Sequence, residues 1–159
     1  TPIKPTLYIE DYIGTNPMDY KFHCFNGETE VIQVDKDRNI DQRMSLYSPD
    51  WKCLDKDIKW VKYDYIDKVD KPKELEKLLQ YVREFAKGID YCRVDFLYDG
   101  YKFYINEITF YHSGGQRKIT PTEYDYYLGS LWNLNTTIYR YDVVTPIIEV
   151  IPEEKKRNV

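Results

Sequence analysis

An α+β fold, a mainly antiparallel sheet with two packed helices, is what this sequence predicts, and three features predict it. Seventeen tyrosines bring the aromatic share to 16%, and Tyr favours strands and half-buried surfaces. Asn26-Gly27 and Asp99-Gly100 each lie between runs rich in apolar residues, a strong hairpin signal because these residues tolerate positive φ. Residues 72–87 carry Leu75, Leu78, Leu79, Val82, Phe85 and Ala86 at helical spacing.

Taken in chain order, residues 6–13 are a strand candidate closed by Gly14 and the breaker cluster Thr15-Asn16-Pro17. Residues 19–25 and 28–34 are the two arms of a hairpin around Asn26-Gly27. Residues 37–68 are polar with scattered aromatics and read as a loop with short strands near 43–47 and 58–61. The helix over 72–87 has Pro72 suited to its first turn and Gly88 just past its end. A second hairpin spans 89–109. Thr120, Pro121 and Glu123 form a capping-box pattern for a second helix with Tyr124, Tyr127, Leu128 and Leu131 on its apolar face. Residues 143–151 are a further strand candidate, followed by the charged stretch 153–157.

The 159 residues suit one domain with a sizeable core. A net charge of −4 argues against a dedicated nucleic-acid binder, which normally carries a basic face. Cys24, Cys53 and Cys92 are odd in number and lack metal-ligand spacing, as expected of reduced thiols in a cytoplasmic protein. No apolar run approaches the roughly 20 residues that span a bilayer. A first residue of Thr, with strand-like sequence almost at once, points to a fragment of something longer.

Asp95 and Glu107 carry the chemistry of the second hairpin. Each sits on its strand toward the end away from the Asp99-Gly100 turn. Carboxylates on adjacent strands repel, so one must be protonated or a cation must lie between them. Magnesium holding nucleotide phosphates is a natural choice of cation. Register decides whether they can share one. A two-residue loop at Asp99-Gly100 pairs Asp95 with Tyr104 and sends the two acids to opposite faces. A three-residue loop at Tyr98-Asp99-Gly100 pairs Asp95 with Phe103 and puts both on one face. The metal reading therefore demands the second register, with Cys92, Val94 and Phe96 turned toward the 72–87 helix.

The string Arg93-Val94-Asp95-Phe96, followed by Asn106-Glu107-Ile108-Thr109-Phe110-Tyr111-His112-Ser113-Gly114-Gly115, resembles the end of an ATP-grasp domain. It is most similar to the TupA-like ATP-grasp family, associated with capsule and teichuronopeptide synthesis. Upstream, Tyr8-Ile9-Glu10-Asp11-Tyr12-Ile13 looks like the hinge strand at the adenine, and Asp19-Tyr20-Lys21-Phe22-His23 like the strand whose acid reaches the ribose. Residues 34–38 and 120–129 also fit, and the likeness covers residues 6–132.

The resemblance implies an ATP- and Mg2+-dependent carboxylate–amine ligase working through an acyl phosphate in cell-surface polysaccharide or capsule biosynthesis. Asp95, Glu107 and Thr109 are then the metal ligands. Thr109 stands where many ATP-grasp enzymes have Asn, and a hydroxyl is a poorer ligand than an amide oxygen. Backbone at Glu10, Asp11 and Tyr12 holds adenine, and Asp19 holds ribose. Lys21 and Arg38 stabilise phosphate or acyl-phosphate charge, and Ser113 and Gly114 offer backbone amides to an anionic substrate. The partner is a small amino acid or glycan-linked carboxylate. Residues 1–135 form the C-terminal part of the domain and 136–159 an extension. An upstream half bearing lysines and a glycine-rich lid is required, so the chain alone is expected to bind ATP poorly and not to turn over.

Taken residue by residue, His23 is expected to be a half-buried structural histidine and His112 a neighbour of the site. Asp35-Lys36-Asp37 raises a second class, a metal-dependent glycosyltransferase, since Asp-x-Asp triplets hold the metal in many such enzymes. A third is a non-catalytic module derived from an ATP-grasp sheet.

Overall fold

The computed structural model describes residues 5–7, 9–38, 40–54, 58–60, 64–66 and 68–133. Six strands form one sheet: β1 (Met18–Phe25), β2 (Glu28–Lys36), β3 (Arg43–Tyr47), β4 (Asp64–Tyr65), β5 (Tyr91–Tyr98) and β6 (Phe103–Thr109). Their order is β4-β3-β2-β1-β5-β6, antiparallel throughout except for β3 with β4. Two helices, α1 (Leu75–Ala86) and α2 (Thr122–Leu131), pack against it. The expected α+β architecture is therefore present, with one helix on each face. No helix among the described residues is long and apolar enough to cross a membrane.

Alternation along the strands builds two unlike faces. Tyr20, Phe22 and Cys24 of β1, Ile32 and Val34 of β2, and Cys92, Val94 and Phe96 of β5 point one way. Leu75, Leu78, Val82 and Ala86 of α1 cover them, and the cluster is buried throughout. On the opposite face, Val31, Met44 and Leu46 pack with Ile58, Trp60 and Leu128 of α2. The centre of that face is polar, and it positions the site.

The β1–β2 hairpin turns as its sequence requires, with Asn26 at φ +51° and Gly27 at φ +89°. The β5–β6 hairpin follows neither expected register. Its loop is residues 99–102, closed by the Asp99 carboxylate accepting the amides of Tyr101 (2.8 Å) and Lys102 (2.9 Å). Tyr98 pairs with Phe103 and Phe96 with Ile105, a register that sends Glu107 to the wrong face. A bulge at Asn106 then inserts one unpaired residue, so Asp95 lies directly opposite Glu107. The shared face that the metal reading demands is reached through a β-bulge and not through a three-residue loop.

Other expectations need correction. Residues 9–13 form no strand; Ile9 and Tyr12 are exposed, and no neighbouring strand pairs with them. Tyr8 lies outside the described residues. Of the proposed strand at 58–61, residues 58–60 are described and show one bridge, Lys59 with Thr120, while the short β4 was not anticipated. The α2 capping box does not form, because Thr120 pairs with Lys59 through its backbone and hydroxyl. The proposed strand 143–151 and the extension beyond 135 lie outside the described residues.

Candidate functional site

A row of polar side chains crosses four strands at the centre of the α2 face. Gln33, Lys21, Asp95 and Glu107 are successive cross-strand partners. Asp19 and Asp35 pair directly beside them on β1 and β2. Asp95 is 0% exposed, Asp19 and Asp35 are each 2%, and Lys21 is 6%. Charges buried so deeply persist only when paired. Lys21 Nζ lies 3.2 Å from Asp19, 3.3 Å from Asp95 and 3.8 Å from Asp35, so one ammonium serves three carboxylates on three strands.

Arg93 is the other cation, and sequence reasoning gave it no role. Its position two residues before Asp95 on the same strand puts both on one face. Nε bonds Asp95 Oδ1 at 2.7 Å and Nη2 bonds Oδ2 at 2.5 Å, a bidentate pair. Nη2 also reaches Glu107 Oε1 (2.6 Å) and Thr109 Oγ1 (3.3 Å). The cation that two facing carboxylates require is thus supplied by the chain itself. The Arg-x-Asp spacing was the signal that pointed to it.

Burial raises the Asp95 carboxyl above its ordinary value, against the pull of Arg93 and Lys21. Burial also raises Asp35, opposed by its bond from Gln33 (2.7 Å) and by Lys21. Glu107 moves the other way. Its partial desolvation is outweighed by the Thr109 hydroxyl (3.0 Å), Arg93 and Asp95, which hold it below the usual range. The pair is therefore asymmetric, with the inner acid readier to keep a proton.

Beside this row opens a cleft of about 1110 Å³ lined by Glu10, Asp11, Tyr12, Asp19, Arg38, Leu97, Tyr104 and Ile105, among others. Four residues expected to hold a nucleotide, Glu10, Asp11, Tyr12 and Asp19, meet here, and Arg38 joins them. Arg38 Nη1 donates to Asp19 Oδ2 at 3.2 Å. Asp19 Oδ1 is buried and has no hydrogen-bond partner, an acceptor left open for a hydroxyl donor. Lys21 links the cleft to Asp95.

Ser113 and Gly114 are not among the residues of the cleft. They lie on an exposed 3-10 turn, His112–Gly115, and the Gly114 amide already donates to Tyr111 O at 3.1 Å. That amide is not offered to an anion, contrary to expectation. Asp35 and Asp37 are separated too. Asp35 faces the buried row, whereas Asp37, at φ +56°, bonds Asn16 and Arg43. His23 is fully buried rather than half-buried, with Nδ1 3.0 Å from the Tyr91 hydroxyl. Burial, helped by His112 and Arg93, lowers its pKa well below the ordinary imidazole value. Burial and Arg93 push His112 down to about 3.

For a hard divalent cation the donors have the right chemistry: two carboxylates and a hydroxyl, all oxygen. Glu107 is half exposed, which leaves it approachable from the cleft side. The guanidinium of Arg93 already spans the inner oxygens, and among the described residues no three acidic, His or Cys side chains are arranged so that they could hold a metal ion. An ion here would have to share both carboxylates with Arg93, whose guanidinium and Lys21 already hold the Asp95 oxygens.

Compared with known proteins, residues 1–133 match the model of the TupA-like ATP-grasp family. No curated protein and no solved structure matches the chain.

Proposed function

The chain belongs to the TupA-like ATP-grasp family, and from that premise we propose that it forms the nucleotide- and metal-holding part of an ATP-dependent carboxylate–amine ligase in cell-surface polysaccharide or capsule biosynthesis. One observation carries the reading. Asp95 faces Glu107 in register, and Lys21 ties Asp95 to Asp19 at the cleft.

In this reading the base lies against Leu97 and its cross-strand partner Tyr104, beside the backbone at Glu10, Asp11 and Tyr12. Asp19 Oδ1 accepts a ribose hydroxyl, which gives that buried acceptor its missing donor. Lys21 and Arg38 place fixed positive charge toward the phosphates. Arg93 stabilises charge developing on the transferred phosphoryl group. Asp95, Glu107 and Thr109 would hold Mg2+, which supplies charge neutralisation for phosphate oxygens when bound. The γ-phosphoryl group passes to a substrate carboxylate oxygen and ADP leaves. An amine then attacks the acyl carbon and expels phosphate, leaving an amide. The acid is a small amino acid or a glycan-linked carboxylate.

The test is ADP release from Mg-ATP by the protein in the presence of candidate acids and amines. Asp95→Asn and Glu107→Gln should each lower the rate by about 100-fold or more. Full activity in both variants would remove the ligase assignment from this site.

A further inference from the structure

A second pocket lies on the far side of Arg93 from the acid pair. It measures about 160 Å³ and is mostly aromatic, with His23, Trp60, Tyr91, Tyr111, His112 and Trp132 among its walls. Arg93 connects the two regions, because its Nη1 reaches His112 Nδ1 at 2.7 Å.

Three rings meet in this pocket. The centroids are 4.4 Å apart for His23–Trp60, 4.9 Å for His23–His112 and 5.5 Å for Trp60–His112. Trp60 Nε1 and His112 Nε2 are buried with no hydrogen-bond partner, whereas His23 has the Gln33 side chain beside it. Unpaired buried polar atoms are rare and costly, so two in one ring cluster call for a missing partner.

The missing partner is an acceptor. Indole Nε1 only donates. Guanidinium also only donates, so His112 Nδ1 must accept from Arg93, and the proton of the neutral ring then sits on Nε2. His23 adapts either way, since the Tyr91 hydroxyl can donate to its Nδ1 or accept from it. Arg117 adds positive charge to the lining, and among the described residues the exposed Asp125 is its one acidic group. The volume is close to that of a cavity of about 150 Å³ that takes benzene.

We infer that this pocket binds a compact aromatic carboxylate, its ring among Tyr91, Tyr111 and Trp132 and its oxygens on the Trp60 and His112 N–H groups. The nearby guanidinium couples an occupant to the Asp95–Glu107 pair. Binding there requires neither nucleotide nor metal, so it is read separately from ligase activity.

Benzoate is the probe, titrated into the 15N-labelled chain while the indole N–H resonances are followed. The chain has three tryptophans. Trp51 is the internal control, because its indole donates to Val69 O at 3.1 Å within the opposite core. Benzoate should shift Trp60 and Trp132 saturably, with Kd on the order of 1 mM for so small a ligand, and leave Trp51 in place. Benzylammonium, with a similar ring and the opposite charge at neutral pH, should shift neither. His112→Phe and Arg117→Met should each weaken benzoate by about fivefold or more. No saturable shift by about 10 mM, an equal response to benzylammonium, or unchanged affinity in both variants would overturn the assignment. Arg117→Met alters a half-buried side chain, so it keeps the test decisive if the His112 variant misfolds.

Discussion

At the scale of single residues, the sheet centre is an ion network shared among strands, and its members stabilise one another unequally. Lys21 is the only lysine among the charges of the buried row, and three carboxylates depend on it. Lys21→Met should cost about 3–5 kcal/mol in urea unfolding, because it leaves buried acids short of a cation. Adding Asp95→Asn to that variant should recover part of the loss, and a double-mutant cycle measures it. The pH dependence has a definite sign. Asp95 is raised from its ordinary 3.8, so the folded state binds this proton more tightly than the unfolded chain. Its contribution favours folding below the ordinary value and is lost as pH rises through the raised one. Asp35 behaves alike, while Glu107, held low, loses its contribution as pH falls. Asp95→Asn should therefore gain stability relative to the parent as pH climbs from about 3 to 7. Urea midpoints at each pH would reveal the trend, and a constant offset would contradict it.

Secondary-structure elements are held by two kinds of contact of very different weight. Helix α1 docks on β1, β2 and β5 through Leu75, Leu78, Val82 and Ala86, all buried. It is also tied to β2 by a bidentate ion pair, Arg83 to Glu28 at 2.9 and 2.8 Å, between exposed side chains. Burial removes apolar surface from water, whereas an exposed pair mostly exchanges water for a partner. Leu78→Ala should cost about 2–5 kcal/mol and Arg83→Ala at most about 1, compared by urea unfolding of the two variants. Only the second effect should shrink with added salt. At β6 the decisive device is the bulge at Asn106. It moves Glu107 from the wrong face to the position opposite Asp95, and the loop at 99–102 does not.

On the scale of the whole molecule, the sheet separates an apolar face under α1 from a face that holds a charged row between a cleft and an aromatic pocket. In the ligase reading the cleft grips a nucleotide from one side only, so the isolated chain should bind Mg-ATP weakly. Calorimetric titration should give a Kd above about 100 μM; low-micromolar binding would show that no lid is needed. Local signals in the sequence were enough for the β1–β2 hairpin, the α1 stripe and the family, because a turn needs its own φ angles and a helix face its own spacing. Glu10, Asp11, Tyr12, Asp19 and Arg38 line one cleft. Residues 9–13 had the composition of a strand but no neighbour to pair with, and Thr120 lost its cap to a bridge made 61 positions away. The sequence by itself determined which side chains alternate on each strand and which residue types line the site. Tertiary structure alone decided that Arg93 lies between Asp95 and Glu107, that Lys21 serves three acids, and that the Trp60 and His112 ring nitrogens meet without partners. Each of these depends on register between strands, and register is set by bulges and packing across the sheet rather than by neighbours along the chain.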